Sequence, residues 1–355
     1  MFKKKKITIM MLIAMLVVAF TACSTDTTQP QDQGDVAPNE TKELVVYSTR
    51  NETFVQPLLD KFESETGIKV LALHGGDAVI NKIKEEGRNV QADIVISNDI
   101  GALEHLRLEG FLQGYEPNGI EAIEERYIAE DMSWFALSAR ARVFMYNKDL
   151  ITEEEMPKSI LDLADEKWKG EFAITRGGNG SMIAHISALR NEWGDDKTLE
   201  WLDGVKENAG AITQGHGDVR RAVGAGEFKF GLVNNYYYHQ QLREPNDNNV
   251  GVIYLDQAEN EMGTVVNAAG VGFVKGAPNE LNGQRFLDWI LQPENQREFS
   301  YASLEVPINP AIEAVGEAAK ISDFKVQSMP LRELGKVWAD TRNLIERSGL
   351  DLEIR

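Results

Sequence analysis

The chain has 355 residues, 43% of them apolar and 26% charged, with a formal net charge of −19, five histidines and one cysteine. That length accommodates two ordinary domains, and the mix needs neither disulfide nor structural metal to build a core. The acidic balance argues against nucleic acid and suits a cation or a basic partner better.

The first stretch is a targeting segment. Lys3, Lys4, Lys5 and Lys6 precede an apolar run from Ile7 to Phe20, and Thr21-Ala22-Cys23-Ser24 follows. A basic start, a short apolar middle and small residues at the end make an export signal. The apolar run falls short of the roughly 20 residues that span a bilayer. Cys23 is the only cysteine, so it cannot form an intramolecular disulfide. Its setting resembles a bacterial lipobox, whose cysteine is lipidated and becomes the first mature residue; Phe20 departs from the usual leucine. Residues 24–42 are polar and nearly free of apolar side chains, the composition of a flexible tether. The expectation is a signal over 1–22, a lipid-anchored tether over 23–42, and a body outside the cytoplasm.

The body reads as alternating strands and helices. Leu44–Tyr47 is a buried strand ending in the polar turn Ser48–Glu52. Val55, Leu58, Leu59 and Phe62 at helical spacing predict a helix that Gly67 stops. A strand over 68–73, a helix over 78–86, a strand over 92–96 and a helix over 100–108 follow. This order is the mark of a parallel sheet with covering helices, and ligands of such sheets lie beyond the strand carboxyl ends. The loops Ser48–Glu52 and Ser97–Asp99 are therefore candidate site loops.

Two extended runs, Trp134–Ala139 and Arg142–Tyr146, flank Arg140 and Arg142. A strand ending at Ile174 leads into Gly177-Gly178-Asn179-Gly180-Ser181 and a helix over 182–190. Such a turn is either an anion nest at a helix N-terminus or a plain capped loop. A helix over 198–208, a strand over 211–213, the turn Gly215–Asp218 and a helix over 219–225 come next. Phe230–Val233 is a strand, and Asn234-Asn235-Tyr236-Tyr237-Tyr238-His239 opens a helix. Three successive residues on a helix fan through about 200°, so at least one phenol faces solvent or a cleft. Packing with hydroxyls at the surface competes with a ligand role at this point. Strands over 251–255, 263–267 and 269–274, helices over 282–291 and 295–301, and a terminal helix over 329–348 complete the chain. The pattern is one α/β unit inserted in another.

Several segments recur in one order: Val46-Tyr47-Ser48-Thr49-Arg50, Phe62–Val70, Ala92-Asp93-Ile94, Arg140-Ala141-Arg142-Val143, Tyr146-Asn147-Lys148, Lys167-Trp168-Lys169-Gly170, Ala222-Val223 with Gly226-Glu227, and Asn234-Asn235-Tyr236-Tyr237. Together, over roughly 44–310, they resemble the bacterial ferric-ion-binding proteins that serve ABC importers. The resemblance implies an α/β fold of the periplasmic-binding-protein type II class, two lobes with a hinge and an interdomain cleft. The lobes are expected over 43–138 with 264–306, and over 139–263 with 307–355. It implies Fe3+ as cargo, bound by Tyr236 and Tyr237, with Tyr238 as a packing aromatic. Accessory positions differ: Asn51 stands where some members have histidine, Glu52 where others have tyrosine, Asn98 where others have glutamate, and the region of Gly180 lacks a third tyrosine. Members of that kind complete the shell with an anion such as carbonate or phosphate. The matching positions are Arg50, Arg142, Asn179, Gly180, Ser181, His216 and Asn234.

Elementary chemistry agrees with the cargo. Fe3+ is small and hard, and a phenol of pKa about 10 loses its proton only to a strong Lewis acid. Two phenolates and one carboxylate balance the charge, which nominates Glu52 as third ligand with Asp99 in reserve. Asn51 and His216 are secondary candidates. The expected partners are an ABC permease, the ferric ion and a membrane contacted through the lipid alone, for a monomer that performs no catalysis. The same fold carrying a polyamine, thiamine, sulfate or phosphonate is the alternative. An extracytoplasmic hydrolase finds no support, because Gly180-Ser181 lacks the nucleophile-elbow glycines and no His-Glu-x-x-His motif is present.

Overall fold

The computed structural model describes residues 42–315 and 318–350. Cys23, the expected export signal over 1–22 and nearly all of the expected tether over 23–42 lie outside the described residues. Strand β1 (Glu43–Ser48) runs into α1 (Glu52–Thr66). The sequence dictates both ends of that helix. Asn51 caps it by accepting from the Thr53 amide, and Gly67 closes it at φ 69°, a conformation that favours glycine. Val55, Leu58, Leu59 and Phe62 form the predicted buried stripe, each worth about 1.5–3 kcal/mol on burial.

Next come β2 (Lys69–His74), α2 (Ala78–Glu86), β3 (Ile94–Ser97) and α3 (Ile100–Leu108). β1 pairs in parallel with both β2 and β3, the arrangement that the β-α-β-α-β order requires. The two extended runs around Arg140 are one strand, β4 (Trp134–Asn147), buried along its whole length. A local register shift between Ala136 and Ser138 marks a bulge rather than a break.

The middle of the chain builds β5 (Phe172–Thr175), α4 (Gly180–Trp193), α5 (Asp195–Asn208), β6 (Ala211–Thr213), α6 (His216–Gly224), β7 (Phe230–Asn234), α7 (Asn235–Leu242) and β8 (Val250–Tyr254). β9 (Val266–Phe273) then returns as one strand where the sequence suggested two. The chain ends with α8 (Glu280–Ile290), α9 (Pro293–Ser303), the short β10 (Val306–Pro307) and α10 (Glu333–Ser348).

The strands lie in the order β2-β1-β3-β9-β4-β7-β5-β6, with β8 and β10 also paired to β4. β4 joins the two halves of this curled sheet. Its first half pairs with β9 and β10, and its second half pairs with β7 and β8. The changeover falls at Arg140–Arg142. The architecture is α/β, two-lobed, of the periplasmic-binding-protein type II class, with the site on the cleft side of this crossover.

The last helix touches both halves. Trp338 on α10 donates its indole N–H to Asp99 at the start of α3 (2.8 Å), while Thr341 meets Ser187 of α4 (2.8 Å). Gly335 packs so closely on Glu104 that an added Cβ would lie 2.4 Å from its side chain. A methyl group there would force α10 away from α3.

Candidate functional site

Register places the tyrosines. β7 runs antiparallel to β4 with Asn234 opposite Arg142, and the strand ends at that pair. Asn235, fully buried, accepts from the Ala141 amide (3.0 Å) and ties the start of α7 to the crossover strand. Tyr236 and Tyr237 therefore fall in the first turn of α7. Unpaired N–H groups and the positive end of the helix dipole favour negative oxygen there. Their rings lie 4.5 Å apart at 34°, and both side chains are half-buried. Burial, reinforced by Tyr236, pushes the Tyr237 phenol well above its ordinary value. Without a metal it keeps its proton. Tyr238 packs against the core, with its ring against His239.

Behind the tyrosines sits a buried cation. Arg142 donates to His185 Nδ1 (3.2 Å), His216 Nε2 (3.1 Å), Asn234 Oδ1 (2.9 Å) and Met182 Sδ (3.1 Å). Every one of these acceptors is neutral. No carboxylate pairs with Arg142 among the described residues. Burial lowers its affinity for its proton, and the nearby Tyr236 acts in the opposite sense. Burial and then the Arg142 charge hold His216 and His185 well below the usual histidine range, so both are neutral near pH 7. His216 also packs on Tyr237, with ring centroids 5.4 Å apart. Asn234 links this layer to the cleft: its amide donates to Ser181 Oγ (3.1 Å) and lies 3.4 Å from Tyr236 Oη.

A cavity of about 250 Å³ opens beside Tyr236. Asn179, Gly180 and Ser181 line one wall. There Asn179 caps α4 by accepting from the Ser181 amide (3.0 Å). The facing wall carries Asp77, Asn98 and Asp99, and Arg140, Trp338 and Arg342 complete the lining. Asp99 accepts from the Gly101 amide, Asn267 and Trp338. Burial raises the Asp77 carboxyl, Asp99 adds to this, and Arg342 and Arg140 oppose it.

The cavity thus gathers Tyr236, Asp99 and the 179–181 turn from the residues the sequence nominated. Tyr237, His216, Asn234 and Arg142 form the layer behind. Glu52 and Asn51 lie elsewhere: Glu52 is exposed in the first turn of α1, and Asn51 is engaged as that helix's cap. Neither lines the cavity. Arg50 is buried against Glu305 (3.1 Å) and Ser303 (2.9 Å), with its guanidinium over the Phe299 ring. Arg140, Asp77 and Arg342 were not nominated. The motif Arg140-Ala141-Arg142 holds two arginines on one strand face, and spacing alone does not say which reaches the cleft. Asp77 and Arg342 carry no local signal. Among the described residues no three His, Cys, Asp or Glu side chains converge as a metal cluster.

Residues 58–326 match the family of bacterial extracellular solute-binding proteins. The chain belongs to that family. Relatives of this solute-binding protein include Iron uptake protein A1 of Synechocystis sp., 31% identical with 88% of each chain covered. The Major ferric iron-binding protein of Neisseria meningitidis serogroup B is 28% identical, covering 87% of this chain and 93% of the relative. Among solved structures, a Trichodesmium protein (IdiA, FutA) in complex with iron and citrate ligands aligns with a TM-score of 0.78 at 32% identity, over 86% of this chain and 99% of that one. Iron-bound HitA from Pseudomonas aeruginosa aligns with a TM-score of 0.79 at 25% identity, over 86% and 99%.

Proposed function

We propose that this chain is a lipid-anchored extracytoplasmic receptor that captures Fe3+ between its lobes and hands it to an ABC permease. The single observation that carries the reading is the tyrosine pair. Two phenols, side by side at the N-terminus of α7 over a buried uncompensated arginine, form an oxygen site for a small hard cation. Tyr236 and Tyr237 are the ligands, and each gives up its proton when the metal binds. The 179–181 turn supplies the Gly180 N–H and the Ser181 hydroxyl to an anion that completes the shell, with Arg140 rather than Arg50 as its cationic support. The lobes are assigned over 43–138 with 264–306, and over 139–263 with 307–355, and closure about β4 and β9 buries the metal. Cys23 is the lipidated residue. The protein acts as a monomer and catalyses nothing. Relatives named for ferric iron at similar length support this assignment.

The test is the visible spectrum of the purified protein titrated with Fe3+. A tyrosinate-to-iron charge-transfer band is expected at one iron per chain; Tyr237→Phe weakens and shifts it, and the double variant Tyr236→Phe with Tyr237→Phe abolishes it while leaving the fold intact. A colourless wild type carrying full iron sinks the proposal.

A further inference from the structure

The last helix, α10, is gripped differently on its two sides. On one side it lies against α4 and α5, which follow β5. Thr341 is fully buried there and accepts from Ser187 (2.8 Å) and Arg190 (3.0 Å). Arg190 also donates to the Val337 carbonyl (3.3 Å), Asn191 to the Glu333 carbonyl (3.2 Å), and Lys206 to the Ser348 carbonyl. Leu344, Ile345 and Ser348 are buried along the same stripe as Thr341. These bonds hold α10 from its first residue to its last.

On the other side α10 meets α3, the helix that follows β3. Two glycines let the backbones approach. An added Cβ on Gly335 would lie 2.4 Å from the Glu104 side chain, and one on Gly101 would lie 2.7 Å from the Trp338 indole. Glu104 cannot swing aside, because it is fully buried and accepts from Trp134 (2.7 Å) and twice from Arg107 (2.8 and 2.7 Å). Among the described residues a single hydrogen bond links the two helices, from the Trp338 indole N–H to Asp99 (2.8 Å). The His105 ring stacks on the same indole, with centroids 5.4 Å apart. The segment entering α10 is tied to the same half by the Leu331 amide on the Arg126 carbonyl (3.0 Å).

This helix runs along the cleft. The walls of the cavity beside Tyr236 include Asp99 at the start of α3 and the Asn179–Ser181 turn at the start of α4, and Trp338 lies between them in the lining. To part those walls, α10 must leave α3 or leave α4. The side facing α4 and α5 carries several hydrogen bonds, most of them in buried surroundings. The side facing α3 carries one hydrogen bond and a close-packed contact that is lost as a unit.

We propose that α10 is a strap across the cleft that travels with α4 and α5, and that its contact with α3 is the latch. Trp338 on Asp99, seated by Gly101 and Gly335, holds the walls together before any solute arrives. Opening lifts Trp338 off α3, with Leu331 as the fixed end. Surfaces packed this tightly exchange between discrete arrangements rather than deforming smoothly. The latch holds whatever solute the cleft takes.

The test is small-angle X-ray scattering of the purified metal-free protein. Trp338→Phe removes the indole N–H and keeps an aromatic ring, and Gly335→Ala wedges α10 from α3. Both are expected to expand the radius of gyration relative to wild type. Thr341→Val, on the opposite side of α10, lowers the urea midpoint and leaves the radius unchanged. In protein loaded with Fe3+, Trp338→Phe and Gly335→Ala lose the metal to a chelator about ten- to a hundredfold faster, the range for losing a hydrogen bond to a carboxylate. Equal radii in wild type, Trp338→Phe and Gly335→Ala overturn the strap, as does an expansion in Thr341→Val as large as in Trp338→Phe. Wild-type protein that takes up no Fe3+ overturns the ferric reading alone, and the metal-free radii still decide the strap.

Discussion

Asn234 turns its carbonyl oxygen toward Arg142 at 2.9 Å and its amide toward Ser181 and Tyr236. Arginine is donor-only, so the amide can sit one way round. Tyr236 Oη is therefore an acceptor toward Asn234, which is the role a phenolate can also play. A strand-end asparagine thus joins a buried cation to the cleft surface.

Removing that cation exposes what it holds. Arg142→Met leaves His185, His216 and Asn234 with unmet acceptors, and each unsatisfied buried group costs about 1–3 kcal/mol. Loss of the uncompensated charge returns part of this. The expected net is a loss of about 2–4 kcal/mol in urea unfolding, with the midpoint lowered and the slope unchanged. Iron affinity falls in parallel, read by competition against a chelator.

Glu305 anchors the crossover from the other side. Burial by itself would raise its carboxyl, but Arg50 and then Arg140 outweigh burial and hold it below its ordinary value. A depressed folded value means that its contribution is complete above the unfolded carboxylate pKa of about 4.3. It disappears as pH falls through the folded value. Glu305→Gln strands two buried arginines and is expected to cost about 3–5 kcal/mol at neutral pH. The gap between variant and wild type should narrow steadily in acid unfolding below that range. A gap independent of pH would contradict the ion-pair assignment.

Iron binding should release protons. The Tyr237 phenol is raised by burial and by Tyr236, so it holds its proton near neutrality until a metal displaces it. Each phenol displaced makes the affinity rise tenfold per pH unit, about a hundredfold for the pair. Calorimetry in buffers of different ionisation enthalpy should count close to two protons per Fe3+. Tyr236→Phe and Tyr237→Phe should each remove one.

Anchoring is tested without iron. Cys23→Ser in the producing cell should move the protein from the membrane fraction to the soluble extracytoplasmic fraction and leave its spectrum unchanged. Membrane retention of the variant would remove the lipid assignment.

Local signals were legible where the chemistry is local. Helical spacing of Val55, Leu58, Leu59 and Phe62, the Asn51 cap and the Gly67 stop describe α1 almost residue by residue. The strand-to-helix junction at Asn234 was visible for the same reason. The sequence pattern breaks at Arg140 and again at Ala268, which predicts separate strands, yet each pair of runs is one strand. Only pairing with neighbours carries an extended chain through polar residues in mid-run.

The sequence by itself determined the α/β order and the adjacency of Tyr236 and Tyr237, because each depends on neighbours within a turn or two. The tertiary structure decided which charges meet the cleft. Arg50 and Arg142 turn inward to Glu305 and to neutral acceptors, while Arg140, Asp77 and Arg342 line the cavity. Those positions lie up to 265 residues apart in the chain. They are brought together by the β4 crossover and by a helix that packs on both halves, and no local pattern encodes that meeting.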